Sequence, residues 1–130
     1  MQSSGNPSHR FGRERRLRRR SEFQRVFDTG RRIHGRFLAV FAAPNANGIS
    51  RLGIVASRKL GDAVRRNRAK RLIREIFRRA DHPSGKPGLD IVVIPRRELF
   101  DATYASLEND FAAVLRRCAA QSPGRDADKR

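Results

Sequence analysis

The stretch from 57 to 79, SRKLGDAVRRNRAKRLIREIFRR, constrains this chain more than any other. Ten of its 23 residues are Arg or Lys, and only Asp62 and Glu75 are acidic. Gly61-Asp62 reads as a stop followed by a helix cap, because an Asp carboxylate accepts from the free N–H groups of a first turn. Continued at about 100° per residue, Ala69, Leu72, Ile73, Ile76, Phe77 and Ala80 fall on one face. Asn67, Lys70, Arg71, Arg74 and Arg78 fall on the other, with Arg65, Arg66, Arg68 and Arg79 on the flanks. The apolar stripe demands a core to dock on. Once docked, the helix presents a ridge of guanidinium groups to solvent.

Exposed helices ordinarily mix signs and gain support from acid–base pairs four residues apart. Here Glu75 is the one acid available for this, with Arg71 and Arg79 four residues away. The remaining like charges repel one another unless a polyanion neutralises them, which points to nucleic acid. The whole chain agrees. It carries a net charge of +17 over 130 residues, and of 30 basic residues 26 are Arg. The planar guanidinium fork pairs with phosphate and stacks on bases, which suits RNA.

Composition also excludes. The single cysteine, Cys118, rules out an intramolecular disulfide, and no apolar run approaches the length of a membrane span. The chain therefore reads as soluble and cytoplasmic, with no membrane partner. His9, His34 and His82 lack metal-ligand spacing, and no nucleophile–base or paired-carboxylate pattern is present. No metal site and no catalytic residue is expected on the protein.

Residues 1–20 read as a basic, flexible arm with seven Arg between 10 and 20. Ser21-Glu22-Phe23-Gln24 resembles a capping box, opening a short helix with Phe23, Val26 and Phe27 on one face and an end at Gly30. RFLAVFAA at 36–43 reads as a strand, with Phe37, Ala39 and Phe41 on one face and Leu38 and Val40 on the other. After the turn residues PNANGIS, Leu52 to Ser57 reads as the returning strand of a hairpin. The basic helix follows, then LDIVVIP, a Val/Ile run typical of a buried strand. Asp101 is placed to cap a last amphipathic helix bearing Tyr104, Leu107, Phe111, Val114, Leu115 and Cys118. The expected order is α-β-β-α-β-α in one domain over 21–120, followed by a disordered tail at 121–130. Parallel pairing around the basic helix would normally imply a right-handed crossover.

The string from Lys59 to Glu75, KLGDAVRRNRAKRLIRE, resembles the signature of the bacterial ribonuclease P protein family. That family has a basic pair, then G-x-A-V-x-R-N-R-x-K-R-x-x-R. Arg58-Lys59, Gly61, Ala63-Val64, Arg66-Asn67-Arg68, Lys70-Arg71 and Arg74 supply every element. The family's R-x-x-E-F-x-x-V-F is matched by Arg19, Glu22, Phe23, Val26 and Phe27, and its R-F strand start by Arg36-Phe37. The resemblance runs from about Arg13 to Arg117. It implies an α+β fold, a compact α-β sandwich on a mixed sheet (ribosomal protein S5 domain 2-like). It also implies a left-handed β-α-β crossover, against the general rule, and the family is followed here.

The resemblance further implies a non-catalytic protein cofactor of ribonuclease P RNA. The holoenzyme is an endoribonuclease that removes the 5′ leader of precursor tRNA, with the active site in the RNA. The protein would bind that RNA and the leader, broaden the range of precursors, and work with Mg²⁺ held mainly by the RNA partner and substrate. One protein per RNA is expected. The alternative is a structural RNA-binding protein such as a ribosomal protein.

The expected RNA contacts are Arg58, Lys59, Arg65, Arg66, Asn67, Arg68, Lys70, Arg71, Arg74 and Arg78. Phe23 and Phe27 are candidates for stacking on leader bases, and Arg19 for a leader phosphate. Leu38, Val40 and Val55 match family positions facing the leader, although an aromatic can stand in the family where this chain has Val40. Phe37, Phe41, Tyr104, Phe111 and Cys118 are assigned to the core.

Overall fold

A computed structural model describes residues 16–45, 48–80 and 88–120. Three helices, α1 (Arg20–Thr29), α2 (Ala63–Arg79) and α3 (Tyr104–Ala120), pack on four strands. The strands are β1 (Arg31–His34), β2 (Leu38–Pro44), β3 (Arg51–Ile54) and β4 (Leu89–Pro95). The fold is α+β on a mixed sheet. Most of the expected arm, residues 81–87 and the tail from 121 lie outside the described residues.

The sheet order is β1-β2-β4-β3. β2 pairs antiparallel with both β1 and β4, and β3 pairs parallel with β4. Two expectations need correction. The polar segment RRIH is a strand that the sequence did not reveal, because only Ile33 on it is buried. And the hairpin joins β1 to β2, not β2 to β3. β4 comes between those two because its LDIVVIP run is apolar on both faces and needs a neighbour on each side. Gly35 makes the β1–β2 turn possible: a Cβ there would lie 2.8 Å from Asp110 Oδ2 and 3.0 Å from the Leu38 carbonyl oxygen. Asp110 on α3 accepts from the backbone N–H of Arg36 and Phe37, both at 2.9 Å, and so clips that turn to the helix.

α2 behaves as its pattern requires. Asp62 Oδ1 accepts from Arg65 N at 3.0 Å, capping the helix, and Ala69, Ile73, Ile76 and Phe77 are buried. With Leu107, Phe111, Val114 and Cys118 of α3, they cover the sheet face made by Leu38, Val40, Ala42, Leu52, Ile91 and Val93. α1 lies on the opposite face, where Val26 packs with Leu17, Ala43 and Val92 and is flanked by Phe23 and Phe27.

Two helix starts and the start of the domain differ from expectation. α1 starts at Arg20, so Ser21 is inside it. The N–H groups of Arg18 and of Arg19, the cap residue, donate back to Glu22 Oε1 at 2.8 and 3.0 Å. These bonds hold the Glu22 carboxyl below its usual range. Asp101 does not cap α3; Thr103 Oγ1 does, accepting from Ser106 N at 3.0 Å. Tyr104 is therefore at the exposed first turn, 38% accessible, and not in the core. Finally, the domain starts before residue 21. Leu17 N donates to the Leu52 carbonyl at 2.9 Å, Arg16 forms a parallel bridge to Leu52, and the Leu17 side chain is buried.

Candidate nucleic-acid interface

The two faces of the sheet carry different chemistry. On one, α2 turns outward the residues opposite its apolar stripe. Asn67, Lys70, Arg71, Arg74, Glu75 and Arg78 line a shallow depression of about 330 Å³ along the helix. Glu75 takes Arg78 at 2.7 Å and Arg79 at 2.9 Å, and these partners hold its carboxyl below the ordinary range. The acid thus serves the last turn of the helix. Arg71, expected to share it, stands exposed toward solvent.

The ridge is not uniform. Arg66 Nη1 donates to the Gly61 carbonyl at 3.0 Å, so part of its role is to hold the turn into the helix. Gly61 itself has φ +135°, and a Cβ there would meet Arg65 Cδ at 2.7 Å. Arg74 is half-buried and lies close enough to Arg16 that burial, and then that second cation, lower its pKa. Arg58 and Lys59 form an exposed 3-10 turn ahead of the helix, and Arg65 and Arg68 point to its other flank.

On the opposite face, strand register sets a second surface. Arg32, Phe41, Val92 and Gly53 form one row across the four strands, and His34, Ala39 and Ile94 form part of the next. α1 covers the first row only in part. The Phe27 and Phe41 rings meet edge to face at 5.0 Å, and the Arg32 guanidinium lies 5.8 Å above Phe41. Phe23, Phe27, Phe41, Val55 and Ile94 all keep part of their surface accessible. The result is an aromatic and aliphatic groove edged by Arg32. At the groove's β1 margin, His34 Nδ1 lies 2.9 Å from Arg96 Nη2. Since guanidinium only donates, that ring nitrogen is the acceptor, and His34 is neutral. Burial, followed by the charges of Arg32, Arg96 and Arg117, lowers its pKa.

This geometry revises the expected site. Phe23, Phe27 and Val55 stand at the groove, and Arg19 is exposed just before α1. Leu38 and Val40 do not: both have no accessible surface and point to the α2–α3 core. Their strand neighbour Phe41, assigned to the core from the sequence, faces the groove. The sequence also did not reveal Arg16, Arg32, Ile94 and Arg96. Period-two alternation in LDIVVIP could have singled out Ile94, but only knowledge of which face α1 covers would have made it a surface residue.

Comparison with known proteins decides the family. The family model "Ribonuclease P" matches residues 11–119. The chain belongs to the ribonuclease P protein family. It is 35% identical over 107 residues to the ribonuclease P protein component of Clostridioides difficile, covering 82% of this chain and 94% of that one. It is 47% identical over 89 residues to the component from Thermotoga maritima, covering 68% of this chain and 75% of that one. The solved ribonuclease P protein from Thermotoga maritima superposes with a TM-score of 0.70 at 39% identity, over 78% of this chain and 96% of that one. This family's place is tRNA processing, and its α+β fold is the one described above. No helix among the described residues is long and apolar enough to cross a membrane.

Proposed function

We propose that this chain is the protein component of a ribonuclease P holoenzyme, the endoribonuclease that removes the 5′ leader of precursor tRNA. It binds the catalytic RNA through the α2 ridge and the leader through the groove under α1. The observation that carries this reading is the division of labour across one sheet. A cationic helix occupies one face and a half-exposed aromatic groove the other. The Arg16 bridge to Leu52, and Leu17 under α1, carry the chain along the β3 edge.

The ridge acts by neutralising phosphates. Arg68, Lys70, Arg71 and Arg74 are carried on a docked helix, so little order is lost when a backbone seats against them. Arg58 and Lys59 extend the line of charge, and Asn67 adds an amide that both donates and accepts. The groove acts by stacking. Bases of a single-stranded leader pack on Phe23, Phe27 and Phe41, a contact worth ~1–3 kcal/mol per base. Stacking tolerates any base, which suits a substrate set whose leaders differ. Arg32 and Arg19 supply phosphate contacts at the margins.

The protein contributes binding and positioning, and the RNA carries the reaction. Among the described residues no group of three His, Cys, Asp or Glu side chains is placed to hold a metal ion. We assign Mg²⁺ to the RNA partner and substrate. The holoenzyme is read as one protein per RNA, in the cytoplasm.

The test is cleavage of a 5′-extended precursor tRNA at near-physiological Mg²⁺ in four mixtures. These contain buffer, the protein, a bacterial ribonuclease P RNA, and that RNA with the protein. Strong stimulation of weak RNA-alone cleavage is expected. RNA binding without stimulation would overturn this reading in favour of a structural RNA-binding protein, and cleavage by the protein alone would reveal a protein active site.

A further inference from the structure

Beside the ridge, and sharing Arg68 with it, a cleft of about 630 Å³ opens between the first turns of α2 and the 3-10 turn Arg97–Asp101 that follows β4. That volume falls in the ~300–1,000 Å³ range of small-ligand sites. Its apolar part is Val64 and Phe100. Val64 is 75% exposed, although it sits inside the most heavily charged helix of the chain. Phe100 is half-buried against the core, and the Arg65 guanidinium lies 5.3 Å from its ring centre.

The rim carries both signs of charge, and they do not neutralise one another. Arg65, Arg68 and Arg97 line the cleft together with Glu98 and Asp101. Among the described residues neither carboxylate forms an ion pair with any of the three guanidinium groups. Asp101 is also not used as the α3 cap. Opposite charges are thus held apart across an apolar floor in a molecule otherwise short of acids.

A ridge that only clamps phosphate gains nothing from two carboxylates, which repel it. A nucleotide with an exposed base uses every part. Its phosphate takes Arg68 and Arg97, and its base face rests on Val64 and the Arg65–Phe100 pair. The base amino group donates to a carboxylate, the pairing by which Glu and Asp read cytosine N4. We infer that this cleft holds one unpaired nucleotide of an RNA partner, with an amino-bearing base read by Glu98 and Asp101. The inference rests on the RNA-binding reading above and adds to it a base-specific contact beside the phosphate ridge.

The test exploits a difference in sign. Glu98→Ala with Asp101→Ala removes two negative charges and both base acceptors, so a purely electrostatic surface would bind RNA more tightly. Base reading predicts the reverse, about tenfold weaker binding at physiological salt, since a good bidentate base contact is worth on that order. The double variant and the wild type are titrated with a bacterial ribonuclease P RNA, and then, as assembled holoenzymes, with precursor tRNA. Weakening in the first titration places the nucleotide in the RNA subunit; weakening only in the second places it in the precursor. Equal or tighter binding in both overturns the inference. An Arg71→Ala, Arg74→Ala variant run in parallel separates the two readings. If it loses affinity while the acid variant does not, the ridge stands and the nucleotide site falls. If the wild type itself does not bind, both fall. Both acids are exposed, and an unchanged melting temperature confirms that the variant folds.

Discussion

Arg51 grips Asp90 side-on, with Nε donating to Oδ1 and Nη2 to Oδ2, both at 2.9 Å. Asp90 is fully buried, and its remaining acceptor sites take Asn45 Nδ2 and Arg25 Nη2, both at 2.7 Å. Arg51 also reaches Glu22 Oε2 at 3.3 Å. One carboxylate on β4 therefore ties together β3, the residue after β2, and α1, and Arg51 adds a second link to α1 through Glu22. Burial pushes the Asp90 carboxyl up, but the bonds from Arg51, Asn45 and Arg25 outweigh it and hold it below its ordinary value. The same hydrogen bond raises the pKa of Arg51, so this pair stays charged near neutrality.

Removing Asp90 strands these cations. Asp90→Ala is expected to cost about 3 kcal/mol, the low end for breaking a buried pair from one side, because Arg25 and Arg51 keep some access to water. The check is the urea midpoint. The same cluster sets an acid limit. A carboxyl with a depressed native pKa contributes stability that is present above its unfolded value, about 4, and lost as pH falls through the native value. Wild-type stability should drop below about pH 4 more steeply than that of Asp90→Asn.

On the ridge, Arg68 and Arg71 are exposed and no backbone group depends on them, unlike Arg66 with Gly61. Arg68→Ala with Arg71→Ala should leave the melting temperature unchanged and weaken RNA binding. The log–log salt slope should fall in magnitude by about 0.7–0.9 for each phosphate that the protein no longer neutralises. An unchanged slope would remove these residues from the interface.

Gly53 is the floor beneath α1. A Cβ there would stand 2.6 Å from two ring atoms of Phe23 and 3.1 Å from Leu17 Cβ. Gly53→Ala should destabilise the domain by ~1–3 kcal/mol through overpacking. By displacing Phe23 it should also weaken binding of long-leader precursors more than leaderless tRNA, with affinity for the RNA subunit unchanged. Equal losses for both substrates would place Phe23 outside the leader contact.

Cys118 lies on the buried stripe of α3, and burial pushes its thiol up to about 11, with Arg31 and Arg117 opposing only in part. At pH 8 the folded protein should resist a thiol reagent such as dithionitrobenzoate, and one equivalent should react once urea unfolds it. Rapid reaction of the native protein would show that α3 opens locally.

The basic helix was legible because everything that defines it is local. Asp62 caps its own first turn, the i, i+3, i+4 stripe from Ala69 to Phe77 decides which side is buried, and charge alone marks the ridge. The short signature around Arg66-Asn67-Arg68 was enough to place the family. The groove was harder to read. RRIH carries too little apolar content to announce a strand, yet it supplies Arg32 and His34.

Local periodicity, capping and charge were thus sufficient for the helices, the cationic ridge and the family. What they could not decide was strand order and which face of β2 would remain accessible. Alternation separates Leu38 and Val40 from Ala39 and Phe41, but both pairs are apolar, and the pattern is the same whichever set is covered. Only packing settles it: two helices bury Leu38 and Val40 completely, whereas the single short helix α1 leaves Phe41 half-open. The groove exists because one helix is too small to cover a sheet face, and that is a property of the assembled layers rather than of any segment.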